Sequence, residues 1–409
     1  MTNFKTDLDI IIIGGGAAGF FAAINIAEQN PNLSIAILER GKTGLQKVKI
    51  SGGGRCNVTH AEFIPSELIE NYPRGKKELL GPFHTFMTGD TIAWFEERGI
   101  ALKIEEDGRM FPVSNSSQTI IDCFLNEAKK YNVELLYNHS VKTVIINKDK
   151  FIVKTNQGNL SANKIIMATG SNPKIWNLLS DLGHTIVTPV PSLFTFDIKD
   201  GRIKDIPGVV AKDVEVRVVD TDLISEGPLL ITHVGISAPS ILKLSAFGAV
   251  ELAKLNYNFK ISVNFIRYDI ESCVEYLKSA KQEYSKKTVL NSVQFDLPKR
   301  LWKKLVLASN IQETERWADL NKVQLETLAN QLTNAVFQVI GKSTFKEEFV
   351  TAGGVDLKEI NFKTFESKRI PNLYFAGEVM NVDAVTGGFN FQNAWTSAFI
   401  VSKAISKSN

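Results

Sequence analysis

The chain has 409 residues, a formal net charge of +3, and 44% hydrophobic against 22% charged residues, which suits two or three domains with sizeable cores. So small a charge gives no electrostatic case for a nucleic-acid partner, and no run approaches the ~18 consecutive apolar residues of a membrane span, so a cytoplasmic protein is expected. Cys56, Cys123 and Cys273 form no Cys-x-x-Cys pair, and His60, His84, His139, His184 and His233 show no ligand spacing, so neither a disulfide framework nor a metal site is expected.

Asp9 to Ile13 is an apolar run of strand length that stops at Gly14-Gly15-Gly16; a helix-compatible segment follows to Gln29, and Ser34 to Glu39 reads as a second strand. The glycines fall as Gly14-x-Gly16-x-x-Gly19, and Glu39 lies 20 residues beyond Gly19, the spacing of a dinucleotide fingerprint. Gly14 permits the tight turn, Gly16 removes a Cβ where a pyrophosphate would approach, and Gly19 lets helix and strand pack closely. The helix N-terminus presents free N–H groups to the phosphates, and Glu39 would accept from a ribose diol.

A second glycine stretch, Lys47 to Asn57, holds Gly52-Gly53-Gly54 beside Ser51, Arg55 and Asn57. Such backbone can lie flat against a ligand and offer several N–H donors; the alternative is a flexible linker. Cys56 reads either as a thiol near a redox centre or as a small buried residue. Helices are expected over Asp90 to Arg98 and Thr119 to Tyr131. In the turn Glu105 to Pro112, Arg109 either holds a carboxylate or phosphate or is simply solvated. Strands are expected at Val133 to Leu136 and Val141 to Ile146, with a hairpin around Gly158, and a buried strand from Lys164 runs into the small-residue turn Ala168-Thr169-Gly170.

From Pro189 the pattern alternates, with Val214, Val216 and Val218 and again Phe259, Ile261, Val263 and Phe265 marking half-buried antiparallel strands. Between them lies His233, which is either an acid/base group or a histidine satisfied by interdomain packing, followed by a helix from about Ser240 to Lys254. Helices are expected at Ile270 to Tyr284, Pro298 to Ser309 and Lys322 to Leu332. The last segment repeats the opening theme: a strand from Pro371 ends in Ala376-Gly377-Glu378, and Gly387-Gly388 precedes a helix over Asn393 to Ile405. A ligand is therefore expected to be bound from both ends of the chain, with 190–345 as an insertion.

Taken together, Ile13 to Gly19, Lys49 to Asn57, Gly108 to Pro112, Thr232 to Pro239, Thr351 to Val355 and Ala376 to Gln392 resemble the two-dinucleotide-binding-fold flavoproteins, and more closely the BaiN-like (YhiN-like) family of bacterial FAD-dependent oxidoreductases. The resemblance implies an α/β fold with a Rossmann-like FAD-binding domain of the glutathione-reductase type, discontinuous over 1–189 and 346–409. A β-rich insert over 190–268 and a helical subdomain over 269–345 complete it. It places Gly14, Gly16, Ala17, Ala18 and Gly19 at the pyrophosphate, Glu39 on the adenosine ribose with Arg40 nearby, and Val141 against the adenine through its backbone. It places Ser51, Gly52, Gly53, Arg55, Cys56 and Asn57 along the flavin, and Ala168, Thr169 and Gly170 near the cofactor. Gly377 and Glu378 would lie at the ribitol or pyrophosphate side, and Asn390, Phe391 and Gln392 at the pyrimidine end of the ring.

Two positions depart from the family pattern: Ala238 stands where glycine is usual, and Asn381 where an acid is common. The function implied is an FAD-dependent oxidoreductase, with NAD(P)H as reductant of a small enone-like acceptor. The alternatives are an oxidase of a small amine, a flavin-bearing RNA-binding or RNA-modifying protein, whose support is the lysine pairs of the insert, and a flavin-dependent sensor. His233, Arg109 and Cys56 are the candidate catalytic groups. Oligomeric state is left open.

Overall fold

Residues 6–343 and 350–407 are described by the structure, a computed structural model. By packing the chain forms two units, Met1–Val190 with Val350–Asn409, and Pro191–Phe349.

The first unit is built on β1 (Asp7–Ile13), whose isoleucines Ile11 and Ile12 are fully buried, as an apolar run covered on both faces of a parallel sheet must be. Helix α1 (Ala17–Gln29) returns the chain to β2 (Ile35–Leu38), parallel to β1 with Ile12 opposite Ile37. A kinked helical segment, α2 (Gln46–Gly54), leads to a small antiparallel sheet of β3 (Thr59–His60), β4 (Leu102–Ile104) and β5 (Arg109–Pro112), with β5 in the middle. Then β6 (Glu134–Leu136) adds to β2, and the meander β7 (Val141–Asn147), β8 (Lys150–Thr155) and β9 (Gly158–Met167) brings β9 to the free side of β1, again in parallel. After β10 (Ile186–Ser192) the chain leaves this unit.

The second unit is a closed barrel. Its strands β11 (Thr195–Ile198), β12 (Val210–Val218), β13 (Ile224–Ile231), β14 (Gly235–Ser237), β15 (Phe259–Asn264) and β16 (Ala335–Ser343) join in the order β11-β14-β13-β12-β15-β16. Closure is made by β16, which pairs with β15 (Phe337 opposite Ile261) and with β11 (Lys342 opposite Phe196). That strand lies inside the stretch expected to be helical. Ala335, Phe337 and Val339 point in while Val336, Gln338 and Ile340 point out, a period of two that fills a barrel interior. Nor does packing break at residue 269: the helices Ile270–Glu283, Lys299–Ala308 and Lys322–Thr333 share one apolar core with Val216, Ile261 and Phe337. The helix expected from Ser240 is two, Pro239–Phe247 and Ala249–Lys254, divided at Gly248.

Returning to the first unit, β17 (Val350–Val355) pairs with β10, and β18 (Ile360–Asn361), β19 (Glu366–Ser367) and β20 (Leu373–Phe375) extend the main sheet to the order β18-β19-β20-β9-β1-β2-β6. The C-terminal helix, Phe389–Lys407, starts four residues before the expected Asn393 and lies against α1. There Trp395 meets Phe21 at 5.2 Å and Asn30 donates to Ser406 at 2.7 Å. The opening fingerprint and the closing glycine segment are thereby brought to one end of the sheet.

Candidate functional site

The three fingerprint glycines are held to glycine by different causes. Gly14 turns with φ +114°, and a Cβ there would stand 2.3 Å from the Ala168 carbonyl oxygen at the end of β9. At Gly19 a Cβ would stand 2.0 Å from the Gly14 carbonyl oxygen, so α1 and β1 meet only without a side chain. At Gly16 nothing lies within 4 Å, and the residue opens the helix without a side-chain cap. Its absent Cβ leaves space on the ligand side, where the first N–H groups of α1 are unsatisfied by the helix itself. Ala17 and Ala18 follow in its first turn.

Glu39, at the end of β2, accepts from Gly15 N–H at 3.0 Å and from Gly41 N–H at 2.7 Å, one through each carboxylate oxygen. These bonds fix the carboxylate beside the fingerprint turn, and each oxygen keeps a further acceptor position. Arg40 is exposed next to it, and Val141 is half-buried at the start of β7, two residues after His139, whose N–H donates to the Glu39 carbonyl at 2.9 Å.

The second glycine stretch is a left-handed turn rather than a linker. After Ser51 (ψ 147°), Gly52, Gly53 and Gly54 have φ of +57°, +68° and +84°, and Cys56 follows at +62°. Gly52 is pressed against Phe111, whereas Gly53 and Gly54 are exposed with nothing within 4 Å of a Cβ. Ser51 donates to the Val48 carbonyl at 3.0 Å, and the Asn57 side-chain oxygen accepts from Met110 N–H at 3.2 Å. Cys56 is fully buried, and burial pushes its thiol up to about 12, against a smaller opposing pull from Ser51. It is the small buried residue of the two readings, and thiolate chemistry at neutral pH is closed to it.

Arg55 and Arg109 do not wait for a ligand's anion. Arg55 pairs with Glu105 at 2.6 Å and lies 3.9 Å over the Phe111 ring, while Arg109 pairs with Asp107 at 2.7 Å and Glu105 at 3.4 Å. The carboxylates that Arg109 holds are those of its own hairpin.

At the closing segment, Gly377 donates to Ser397 at 2.9 Å and sits against Ala18, where a Cβ would be 3.2 Å from the alanine methyl. Glu378 turns toward the Ala168-Thr169-Gly170 end of β9, 3.6 Å from where a Gly170 Cβ would stand, and is paired at 2.5 Å with Lys47 from α2. The sequence reading missed Lys47, because nothing in its spacing singles it out. Gly388 hugs β3, a Cβ there falling 2.6 Å from the Thr59 carbonyl. At two expected flavin contacts the side-chain amides have partners within the chain. Asn390 spends its amide on Ala384, accepting from its N–H at 3.0 Å and donating to its carbonyl at 3.1 Å. Gln392 is fully buried, accepting from Thr59 at 2.6 Å and Thr91 at 2.9 Å and donating to Thr396 at 3.1 Å. Phe391, half-buried and stacked on Trp395 at 5.5 Å, keeps one face available.

His233 lies in the second unit, in the turn after β13. Ala238, where the family usually has glycine, adopts φ +84° and ψ 176°, a region that side chains avoid. Among the described residues no group of three or more His, Cys, Asp or Glu could hold a metal ion, and no helix is long and apolar enough to cross a membrane.

These residues fit FAD: an open glycine at a helix N-terminus, a fixed acid at the end of the second strand, and an exposed glycine turn, gathered with the closing glycine segment into one unit. Fold and site define a Rossmann-type FAD-dependent oxidoreductase. The chain matches the HI0933-like protein Rossmann domain family over residues 8–404, and it belongs to that family. It is similar to the ribosomal RNA dihydrouridine synthase of Haemophilus influenzae, 30% identical over 416 residues, covering 97% of this chain and 98% of that protein. It is also similar to the 3-dehydro-bile acid delta(4,6)-reductase of Clostridium scindens, 25% identical over 407 residues, covering 96% and 98%. The open conformation of a flavocytochrome c3 fumarate reductase shares the fold, with TM-score 0.52 and 15% identity over 99% of this chain and 79% of that one. The flavoprotein resemblance read from the sequence stands.

Proposed function

We propose that this protein reduces a carbon–carbon double bond conjugated to a carbonyl, with NAD(P)H as the reductant and a uracil in ribosomal RNA as the substrate class. The observation that carries the reading is the full-length similarity, at 30% identity, to a ribosomal RNA dihydrouridine synthase. The name of the bile-acid reductase relative points to the same bond type, since the carbon–carbon double bond of uracil and that of a 3-oxo steroid are both polarised by a carbonyl. The low net charge gave no reason to expect a nucleic-acid substrate, and the relative's name supplies one.

Bound FAD supplies the hydride, from N5 of its ring. The chain's part is binding and orientation. The Gly16 N–H and the α1 terminus would hold the pyrophosphate, Glu39 the ribose hydroxyls, and Glu378, paired with Lys47, would lie at the ribitol side. The N-terminus of the helix Phe389–Lys407 would supply partial positive charge to the pyrimidine edge of the ring. The exposed backbone at Gly53 and Gly54, with Arg55 and Arg109 already paired, suits a flat, uncharged ring such as a uracil base.

The test is anaerobic. Holoenzyme mixed with NADH or NADPH should bleach the flavin band near ~450 nm. Unmodified ribosomal RNA transcript should then restore it and yield dihydrouridine on nucleoside mass spectrometry. Restoration by a 3-oxo-Δ4 steroid alone would move the substrate to small enones, and restoration by neither would overturn the reading.

A further inference from the structure

An enzyme that acts on ribosomal RNA must hold a polyanion, and net charge says little about where, because attraction to phosphates follows the local density of cations. On two helices of the second unit lysines stand beside acids: Lys278 pairs with Glu275 at 2.6 Å, and Lys322 with Glu326 at 3.7 Å. The helix Lys299–Ala308 between them is different. Lys299, Arg300, Lys303 and Lys304 are its only charged residues, and no acid occurs from Leu297 to Gln312.

With 3.6 residues per turn, the four cations and Leu307 share an arc of about 140°. The other side of the helix, Leu301, Trp302, Leu305 and Val306, is buried in the apolar core of the unit. Lys299 and Arg300 are exposed, and Lys303 and Lys304 are half-buried. Among the described residues no carboxylate pairs with any of the four. Arg300 instead donates to the Asp205 carbonyl at 2.8 Å, which brings the loop of exposed Lys204 alongside. Lys212 reaches Asp296, three residues before Lys299, at 3.2 Å, and with side chains 80% and 86% exposed that pair contributes little and can yield to another anion. All four cations lie in the first six residues of the helix, the end at which its dipole repels positive charge, and no acid offsets them. Folding alone disfavours that arrangement, and a bound polyanion would relieve it.

We infer that the outer face of the helix Lys299–Ala308 is a docking surface for the phosphate backbone of the RNA, with Lys299, Arg300, Lys303 and Lys304 as its contacts. This rests on the proposed action on ribosomal RNA. An anionic membrane is the other polyanion that attracts such a face, but stable seating there needs apolar side chains that enter the lipid, and Leu307 is the one large apolar side chain that this helix exposes. Phosphate contacts position a strand without reading its bases, so this face supplies affinity and orientation rather than the choice of uracil.

The test titrates FAD-loaded, full-length protein against a fluorescein-labelled ribosomal RNA transcript over a range of salt concentrations. K299Q/R300Q/K303Q/K304Q, which keeps good helix formers at positions outside the core, should weaken binding about 30-fold or more and lower the slope of log K against log salt by about three. K299R/K303R/K304R, which keeps the charge, should bind as the wild type does. K278Q/K322Q, which removes two lysines already paired with acids, should stay within about twofold of it. Wild-type affinity and slope in the glutamine variant would overturn the inference. So would equal weakening in the arginine or the paired-lysine variant, which would make the loss one of structure or of general charge. Loss of binding to phosphatidylserine vesicles with the RNA affinity intact would give the face to a membrane instead. Dihydrouridine formed by a wild type whose glutamine variant binds RNA equally well leaves the functional reading standing and this one fallen; a wild type that forms none ends both.

Discussion

The two glycine segments of the nucleotide unit look alike in composition and are constrained from opposite sides. Gly14 and Gly19 are glycine because the protein's own backbone lies 2.3 and 2.0 Å from where a Cβ would be. Gly16, Gly53 and Gly54 face space with nothing within 4 Å, so whatever restricts them comes from backbone dihedral or from a ligand. A glycine forced from inside is a folding residue, whereas one left open is free on its Cβ side for a ligand or for solvent; a motif written as letters shows both as the same character.

Substitutions can break that comparison. Gly19→Ala should be the most damaging: its methyl has no room beside Gly14, and chemical denaturation should show a loss of about 3 kcal/mol or more. Next comes a cluster far from the glycines. Glu359 accepts from His184 at 2.9 Å, Thr185 N–H at 3.1 Å and Arg369 at 2.7 Å. Burial alone would raise its carboxyl, but these bonds together outweigh it and hold the group at about 2, against an ordinary 4.5. A carboxyl so depressed stabilises the fold above pH 4.5 and loses that contribution as pH falls toward 2. His184, which burial keeps below its usual 6.5 despite Glu359, adds to the loss on the same acid side. Glu359→Gln should cost about 2 kcal/mol at neutral pH and flatten the acid limb of a melting-temperature profile.

Ala238 gives the converse case, a side chain where the backbone asks for glycine. Ala238→Gly should stabilise the protein by about 1 kcal/mol or more, measured in the same denaturation assay. Gly16→Ala sharpens the comparison most finely: stability should change by no more than about 0.5 kcal/mol, since the site is open and φ is −96°, while FAD affinity should fall about tenfold on titration. A Gly16→Ala protein that unfolds like Gly19→Ala would erase the distinction.

Much of this was legible because it is local. The run Asp9 to Ile13, the glycine spacing and the acid at Glu39 define a β-α-β unit without reference to the rest of the chain. What stayed hidden depends on partners far away. The alternation Ala335, Phe337, Val339 was present in the sequence, yet its meaning comes from pairing with strands more than 70 residues earlier. Asn390 and Gln392 were expected to face the flavin, and no sequence pattern says that Ala384, Thr59, Thr91 and Thr396 consume their amides.

The interruption of the nucleotide unit by the barrel has a consequence for how the protein is made. On the ribosome, the barrel strands up to Ser343 emerge and can close into a ring before β20 and the last helix have left the exit tunnel. Until those arrive, β9 shows an unpaired edge and α1 an uncovered apolar side. The newborn chain is therefore most vulnerable to aggregation and proteases at its oldest end, and early encounter with FAD would shield the segment that waits longest for its own partner.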